Sequence, residues 1–262
     1  MKPTSLEAPP SRPAPRGGKP LFTRITDNRP ADGIHSQIRA LLASRRLVAG
    51  DRLPSERDLA EQFGVSRNSV RQALRSMVDS GLLDMKKGAA GGAFVRDDGG
   101  TAVRAVLTDL YTLGTIQPSH LTEVRMLIGV EVVRLACERA TEEEFDALER
   151  NVESAAEAAR VQDLPMRTAI NLEFYRMLAR MTRNPLLEIL TDAVMAITQK
   201  FVEEFMRTGN TTVMPFRRKL LEDLRARDVE AAAERMRDHL LRLQKIYLTE
   251  VAQRRKREAS AG

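Results

Sequence analysis

LPSERDLAEQFGVSRNSVRQALRSMVDSGLL, residues 53–83, is the stretch whose reading decides the fold. Just inside Pro54, Ser55 followed by Asp58 is spaced as a capping box that starts a helix. Leu59, Ala60 and Phe63 share one face of that helix, Gly64-Val65 makes a turn, and Ser66 is placed to cap the next helix. On the second helix Val70, Leu74, Met77 and Val78 recur at i, i+4, i+7 and i+8, an apolar stripe that can bury against the first. Beside it runs a strip of donors, Arg67, Asn68, Arg71, Gln72 and Arg75. A helix of this width fits the major groove of DNA, where arginine reaches guanine and amides pair with adenine. The competing reading is a helical hairpin whose arginines only solvate a surface. The next residues weigh against it. After Gly81 the text LLDMKKGAAGGAFV, residues 82–95, predicts a strand, a glycine-rich tip and a returning strand, a basic wing carrying Lys86 and Lys87.

These residues resemble the amino-terminal DNA-binding domain of the GntR transcription regulators. The matching text is Gly50-Asp51-x-Leu53-Pro54-Ser55-Glu56-Arg57-x-Leu59-Ala60, then Phe63-Gly64-Val65-Ser66-Arg67-x-x-Val70-Arg71-x-Ala73-Leu74, Gly81-Leu82 and the wing ending at Phe94-Val95. It runs without a gap over about residues 30 to 96. The resemblance implies DNA contacts from Arg57, Arg67 and Arg71, phosphate contacts from Ser66, Asn68 and Ser69, and a wing tip near Gly91 and Gly92 in the minor groove.

Working outward, the charge divides with the chain. Residues 1–97 carry 17 Lys+Arg against 10 Asp+Glu, and the remainder 25 against 26. A positive half supplies salt-dependent affinity for phosphate without sequence information. The single cysteine, Cys137, excludes an intramolecular disulfide, suits a reducing cytoplasm, and sits in a helical run as a small core residue. No stretch reaches the ~20 apolar residues of a membrane span, and the amino terminus has no apolar signal centre. The expectation is a cytoplasmic protein with no membrane partner. Six of the 12 prolines fall in residues 1–24, which read as a disordered basic tail carrying Arg12, Arg16 and Lys19. Residues 25–97 are the DNA-binding domain, and 98–101 a hinge. From 102 to 256 only helical spacing follows, punctuated at Pro118, Pro165, Asn184-Pro185, Gly209-Asn210 and Pro215, with a capping box at Thr141 and Glu144. Residues 257–262 read as a short disordered tail. The fold class is mainly α: a winged helix-turn-helix, α with a small β-wing, then an all-α antiparallel bundle of six or seven helices.

The helical half is similar to the effector-binding domain of the FadR subgroup of GntR regulators, the FCD domain. The residues that carry this are LTEVRMLIGVEVVRLACERAT around Arg125, NLEFYRMLARMTRNPLLEIL ending at Asn184-Pro185-Leu186, and KLLEDLRARDVEAAAERMRDHL. Many FCD domains bind a divalent metal through an aspartate, a histidine four residues later and two further histidines. The corresponding positions here are Asn171, Tyr175, Arg217 and His239, so one ligand of four is kept and no metal or other cofactor is expected. A neutral amide replaces a carboxylate, a phenol of pKa about 10 stays protonated, and an arginine stands where a cation would sit. Two readings stay open for these positions, a pocket filled by side chains and a pocket of changed chemistry. In the second, Arg125, Asn171, Tyr175, Arg217 and His239 present mainly donors, suited to a small anionic, carboxylate-type effector. Eight of the 11 methionines lie beyond residue 100, ordinary core or an adaptable lining for a partly apolar acid.

Three function classes compete. An enzyme has no support: there is no phosphate loop, nucleophile elbow or paired-histidine motif, so no catalytic residue is assigned. A nonspecific architectural DNA protein has no need of a large near-neutral bundle. The reading that uses both halves is a homodimeric, sequence-specific transcription regulator on a palindromic double-stranded operator, controlled by a small effector.

Overall fold

The computed structural model describes residues 21–25, 29–88, 91–96, 100–160, 164–205 and 213–261. Contacts divide the chain into two compact units, Met1–Ala102 and Val103–Gly262.

In the first unit α1 (Pro30–Ala43), α2 (Glu56–Phe63) and α3 (Arg67–Asp79) precede an antiparallel pair, β1 (Leu83–Lys86) and β2 (Gly92–Val95). The local rules hold at each junction. Ser55 Oγ accepts from the Asp58 N–H at 3.2 Å, and Ser66 Oγ from the Ser69 N–H at 3.1 Å. Between them Gly64 turns the chain with φ +69°, a left-handed conformation that costs a side-chain-bearing residue energy. The core gathers Ile34 and Ile38 from α1, Leu59 and Phe63 from α2, and Val70 and Met77 from α3. β1 and β2 pair in the register Leu83 with Val95 and Lys86 with Gly92. The segment Gly50–Leu53 lies along the other edge of β2, with Leu53 N–H donating to Ala93 O at 2.8 Å and Val95 N–H to Asp51 O at 2.8 Å.

Residues 21–24 correct the expected tail boundary. Phe22 is buried and its ring lies 4.8 Å from that of Phe63. Thr23 N–H donates to Gln37 Oε1 at 2.8 Å, and Gln37 Nε2 donates back to Thr23 O at 2.7 Å. One aromatic ring with somewhere to bury is enough to order a proline-flanked segment. Residues 1–20, including Arg12, Arg16 and Lys19, lie outside the described residues, as do the wing-tip residues 89–90.

The described residues of the second unit form seven helices: α4 (Gly100–Thr112), α5 (Pro118–Arg139), α6 (Glu142–Arg160), α7 (Leu164–Met181), α8 (Pro185–Phe205), α9 (Val213–Arg225) and α10 (Val229–Ala261). Helix α5 is central, packing against α7, α8, α9 and α10, while α6 covers α7 and α9. Pro118 and Pro185 open their helices, as the punctuation predicts. Thr141 and Glu144 form the reciprocal box, at 3.0 and 3.4 Å. Cys137 is fully buried in the core of this unit. Two boundaries move. Gly100 and Thr101 already belong to α4, so half of the expected hinge is helical, and residues 98–99 fall outside the described set. Helix α10 continues to Ala261 rather than stopping at 256, because RRKREASA holds strong helix formers and no glycine or proline. Among the described residues no helix is long and apolar enough to cross a membrane.

Candidate nucleic-acid interface and candidate effector pocket

Helix α3 divides cleanly. Val70, Ala73, Leu74 and Met77 are buried, while Arg67, Asn68, Arg71 and Gln72 are exposed on the opposite face. Ser66 is exposed and Ser69 half-buried at its amino-terminal end, their hydroxyl oxygens 2.9 Å apart. Arg57 stands exposed on α2, with Asp58 3.6 Å away. Arg71 is not idle: its Nη2 and Nε donate to Glu56 Oε2 at 2.8 and 3.1 Å, and Nε also to Oε1 at 3.2 Å, which lowers the Glu56 carboxyl pKa. Glu56 is a site residue that the sequence did not announce, since the helical turn alone brings positions 15 apart into contact.

On the wing Lys86 and Lys87 are exposed, and Lys86 Nζ sits 4.6 Å from the centre of the Phe94 ring. Gly91 and Gly92 are half-buried at the start of β2. Arg52 donates to the Gly91 carbonyl, fastening the wing base from the neighbouring segment, a second contact that no motif foretold. Amides, serines, arginines and a lysine wing thus share one small unit, the inventory that DNA backbone and base edges require.

The second unit brings the five expected effector residues together. Tyr175 from α7 and His239 from α10 share a hydrogen bond of 3.1 Å between hydroxyl and Nε2. The His239 ring stacks on Phe216 at 3.6 Å, and burial drives its pKa down to about 3. Arg217 from α9 is entirely buried, donates from Nη2 to the Asn171 carbonyl at 2.7 Å and lies 4.3 Å from the centre of the Phe174 ring. Its Nε and Nη1 have no hydrogen-bond partner, and burial lowers its pKa to about 10, so it remains a cation at neutral pH. Arg125 from α5, 5% exposed, is held between the rings of Tyr175 and Tyr247 at 5.7 and 5.5 Å, its Nε also without a partner. Neither arginine has an acidic partner among the described residues. The Asn171 amide oxygen, the Thr191 hydroxyl and His239 Nδ1 are buried and unpartnered as well. Native interiors leave few such groups, and five residues carrying them in one place ask for a ligand or water.

A cavity of about 20 Å³ opens against this cluster. Arg125 and Tyr175 line it, with Thr191 as a third polar wall that sequence reasoning missed; Asn171, Arg217 and His239 stand outside its lining. The remaining wall is apolar: Ile128, Gly129 and Val132 of α5, Leu178 of α7, Val194 and Met195 of α8, and Met236 and Leu240 of α10. The four positions Asn171, Tyr175, Arg217 and His239 do not fit a divalent metal. The phenol is pushed up by burial and spent on His239, the amide oxygen is neutral, and a guanidinium takes the fourth corner. Among the described residues no group of three or more His, Cys, Asp or Glu side chains could hold one elsewhere.

Comparison with known proteins agrees with both halves. Residues 30–95 match the gntR family of bacterial regulatory proteins, and residues 120–242 match the FCD domain. The HTH-type transcriptional regulator Rv0494 of Mycobacterium tuberculosis is 37% identical over 142 residues, 54% of this chain and 57% of that protein. The HTH-type transcriptional repressor NanR of Enterobacter is 25% identical over 248 residues, 92% of this chain and 93% of that one. A solved structure, Streptococcus agalactiae GntR, superposes with a TM-score of 0.64 at 22% identity, covering 82% of this chain and 99% of that one, which speaks for the fold. With a helix-turn-helix and basic wing in one unit and an all-helical FCD domain in the other, the chain belongs to the GntR family of DNA-binding transcription regulators.

Proposed function

We propose that the protein is a homodimeric repressor that binds a palindromic operator and is controlled by a small carboxylate-type anion held in its FCD domain. The observation that carries the effector is the pair of buried guanidiniums, Arg125 and Arg217, which have no acid to neutralise them. A buried unpaired charge is costly, on the order of several kcal/mol, and an incoming carboxylate removes that cost while satisfying the open N–H donors. In this reading Arg125 meets the anion and Arg217, behind Tyr175 and His239, takes the place of a metal as the fixed positive charge. Dimer formation is supported by Val106 on α4, Leu113 in the turn that follows it and Leu127 on α5, large apolar side chains that stand 58%, 78% and 66% exposed. Two copies would set two α3 helices on half-sites one helical turn or a multiple apart. By linkage, an anion that weakens DNA binding must itself bind DNA-bound protein more weakly by the same factor. Titration of a protein–operator complex with a panel of carboxylates, followed by fluorescence anisotropy, tests this. Release by at least one acid, at a concentration that leaves an effector-free duplex competition unchanged, is the expected result; indifference to every acid overturns it.

A further inference from the structure

We infer that the second unit carries a separate binding site for a primary aliphatic amine, in a cleft where Tyr111 and Glu204 receive the ammonium. The cleft holds about 730 Å³, ample for a small molecule, and shares no lining residue with the cavity at Arg125. Such a site is independent of the operator and of the carboxylate effector.

Its walls are the carboxy-terminal turns of α4 and α8, the start of α5 and Val251 of α10. Tyr111 lines it and is 9% exposed, yet its hydroxyl makes no hydrogen bond among the described residues. Burial, with Glu204 beside it, pushes its pKa up to about 12, so the hydroxyl keeps its proton. An enclosed hydroxyl without a partner calls for one, and the cleft is where a ligand reaches it. The wall around it is acidic. Glu203 and Glu204 line it from α8. Lys200, one turn back, does not neutralise them: its Nζ donates to Thr112 Oγ1 at 3.2 Å and pairs with neither carboxylate. Glu203 accepts from the neutral Gln199 amide at 3.0 Å. Arg254 stays 4.0 Å from Glu204 Oε1, beyond hydrogen-bond reach, and donates instead to the Glu204 main-chain oxygen at 2.6 Å. The ends of α4 and α8 add the negative poles of two helices. Such surroundings repel a carboxylate and attract a cation. A primary ammonium brings three donors for the oxygens of Glu203, Glu204 and Tyr111, whereas a quaternary ammonium brings none. The Phe205 ring is already taken up, with Phe201 stacked on it at 5.0 Å and Arg254 4.9 Å from its centre, so it holds no quaternary group by its face. Ile116, Phe205 and Val251 leave apolar wall for a short run of methylenes.

The test is calorimetric titration of the full-length protein, without DNA, with butylamine, butyrate and tetramethylammonium at constant ionic strength. Butylamine should bind saturably, one molecule per chain, and the other two about tenfold more weakly or worse. Tyr111→Phe keeps the ring and removes only the hydroxyl, so butylamine affinity should fall about tenfold while the melting temperature holds or rises. Glu204→Gln keeps the shape of the side chain and the Arg254 contact with the main chain, and it should cost at least as much. Butyrate or tetramethylammonium matching butylamine would overturn the hydrogen-bonded ammonium. Affinity unchanged in either variant would overturn the assigned site. A lowered melting temperature in Tyr111→Phe would show that the hydroxyl already has an internal partner, with the same result. Absence of saturable butylamine binding would remove the site altogether and leave the operator and the carboxylate effector untouched.

Discussion

Arg71 has two claims on its guanidinium. Free of DNA it grips Glu56 through two donors, yet it stands on the face of α3 proposed to enter the groove. On the proposed DNA contact, reading a base would compete with this internal pair, and Glu56 would set a negative charge beside the phosphates. Glu56→Gln should raise affinity for operator and scrambled duplex, each by several-fold, a change that anisotropy on the two duplexes measures. Arg67 is exposed on the same helix, and Arg67→Ala should cost about 1–3 kcal/mol of specific binding while sparing scrambled DNA. Equal losses on both duplexes would take α3 out of the major groove. His239 sets a different kind of limit. Its pKa falls from the ordinary 6.5 to about 3 on folding, so the stability it lends is complete above pH 6.5 and is lost as pH falls toward 3. Below pH 6.5 the slope should approach ~1.4 kcal/mol per pH unit, the value for one proton, and His239→Gln should flatten it in urea melts followed by circular dichroism.

Elements governed by neighbours in the chain were legible before any coordinates; contacts between distant residues were not. The caps at Ser55, Ser66 and Thr141, the Gly64 turn and the proline starts of α5 and α8 follow rules that reach four residues at most, and each stands where the text puts it. Helix α1 carries Ile34, Ile38 and Leu41 at i, i+4 and i+7 but no motif, and its place is fixed by tertiary contacts such as His35 Nε2 at 3.1 Å from the Ala73 carbonyl. In the same way Glu56 against Arg71, Arg52 against Gly91 and Thr191 on the cavity wall are products of folding, which no spacing rule encodes. The five candidate effector residues were legible as a set only through family resemblance, and which of them faces the cavity follows from helix packing. The Gly64 turn gives this scale its prediction. Gly64→Ala must hold a methyl-bearing residue near φ +69°, at a cost of about 1–2 kcal/mol, and its Cβ would press on the Arg24 side chain at 2.9 Å. Asparagine tolerates that region better, so Gly64→Asn should melt between the parent and Gly64→Ala. Equal melting of all three would mean that the turn is not the strained point of the motif.

Across the whole chain, charge and apolar surface separate with the two units. Residues 1–97 hold 17 Lys+Arg against 10 Asp+Glu, while the rest of the chain is nearly balanced at 25 against 26. The positive unit carries the charge suited to phosphate, and its own core is closed around Ile34, Ile38, Leu59 and Phe63. The near-neutral unit has the larger core and the exposed Val106, Leu113 and Leu127, so it has apolar surface to share and little repulsion to overcome. Self-association should therefore travel with the helical unit and DNA affinity with the other. A fragment beginning at residue 98 should sediment as a dimer at micromolar concentration and fail to shift DNA. Full-length protein should sediment as a dimer too, and its operator affinity should fall steeply with salt as two basic heads release counterions. Leu127→Glu sets a charge at this exposed position of α5 and should shift the fragment toward monomer, with helicity retained by circular dichroism. A fragment that is monomeric without any substitution would move the dimer contacts to the first unit, and a salt slope matching one head would argue that the two halves of the operator are not engaged together.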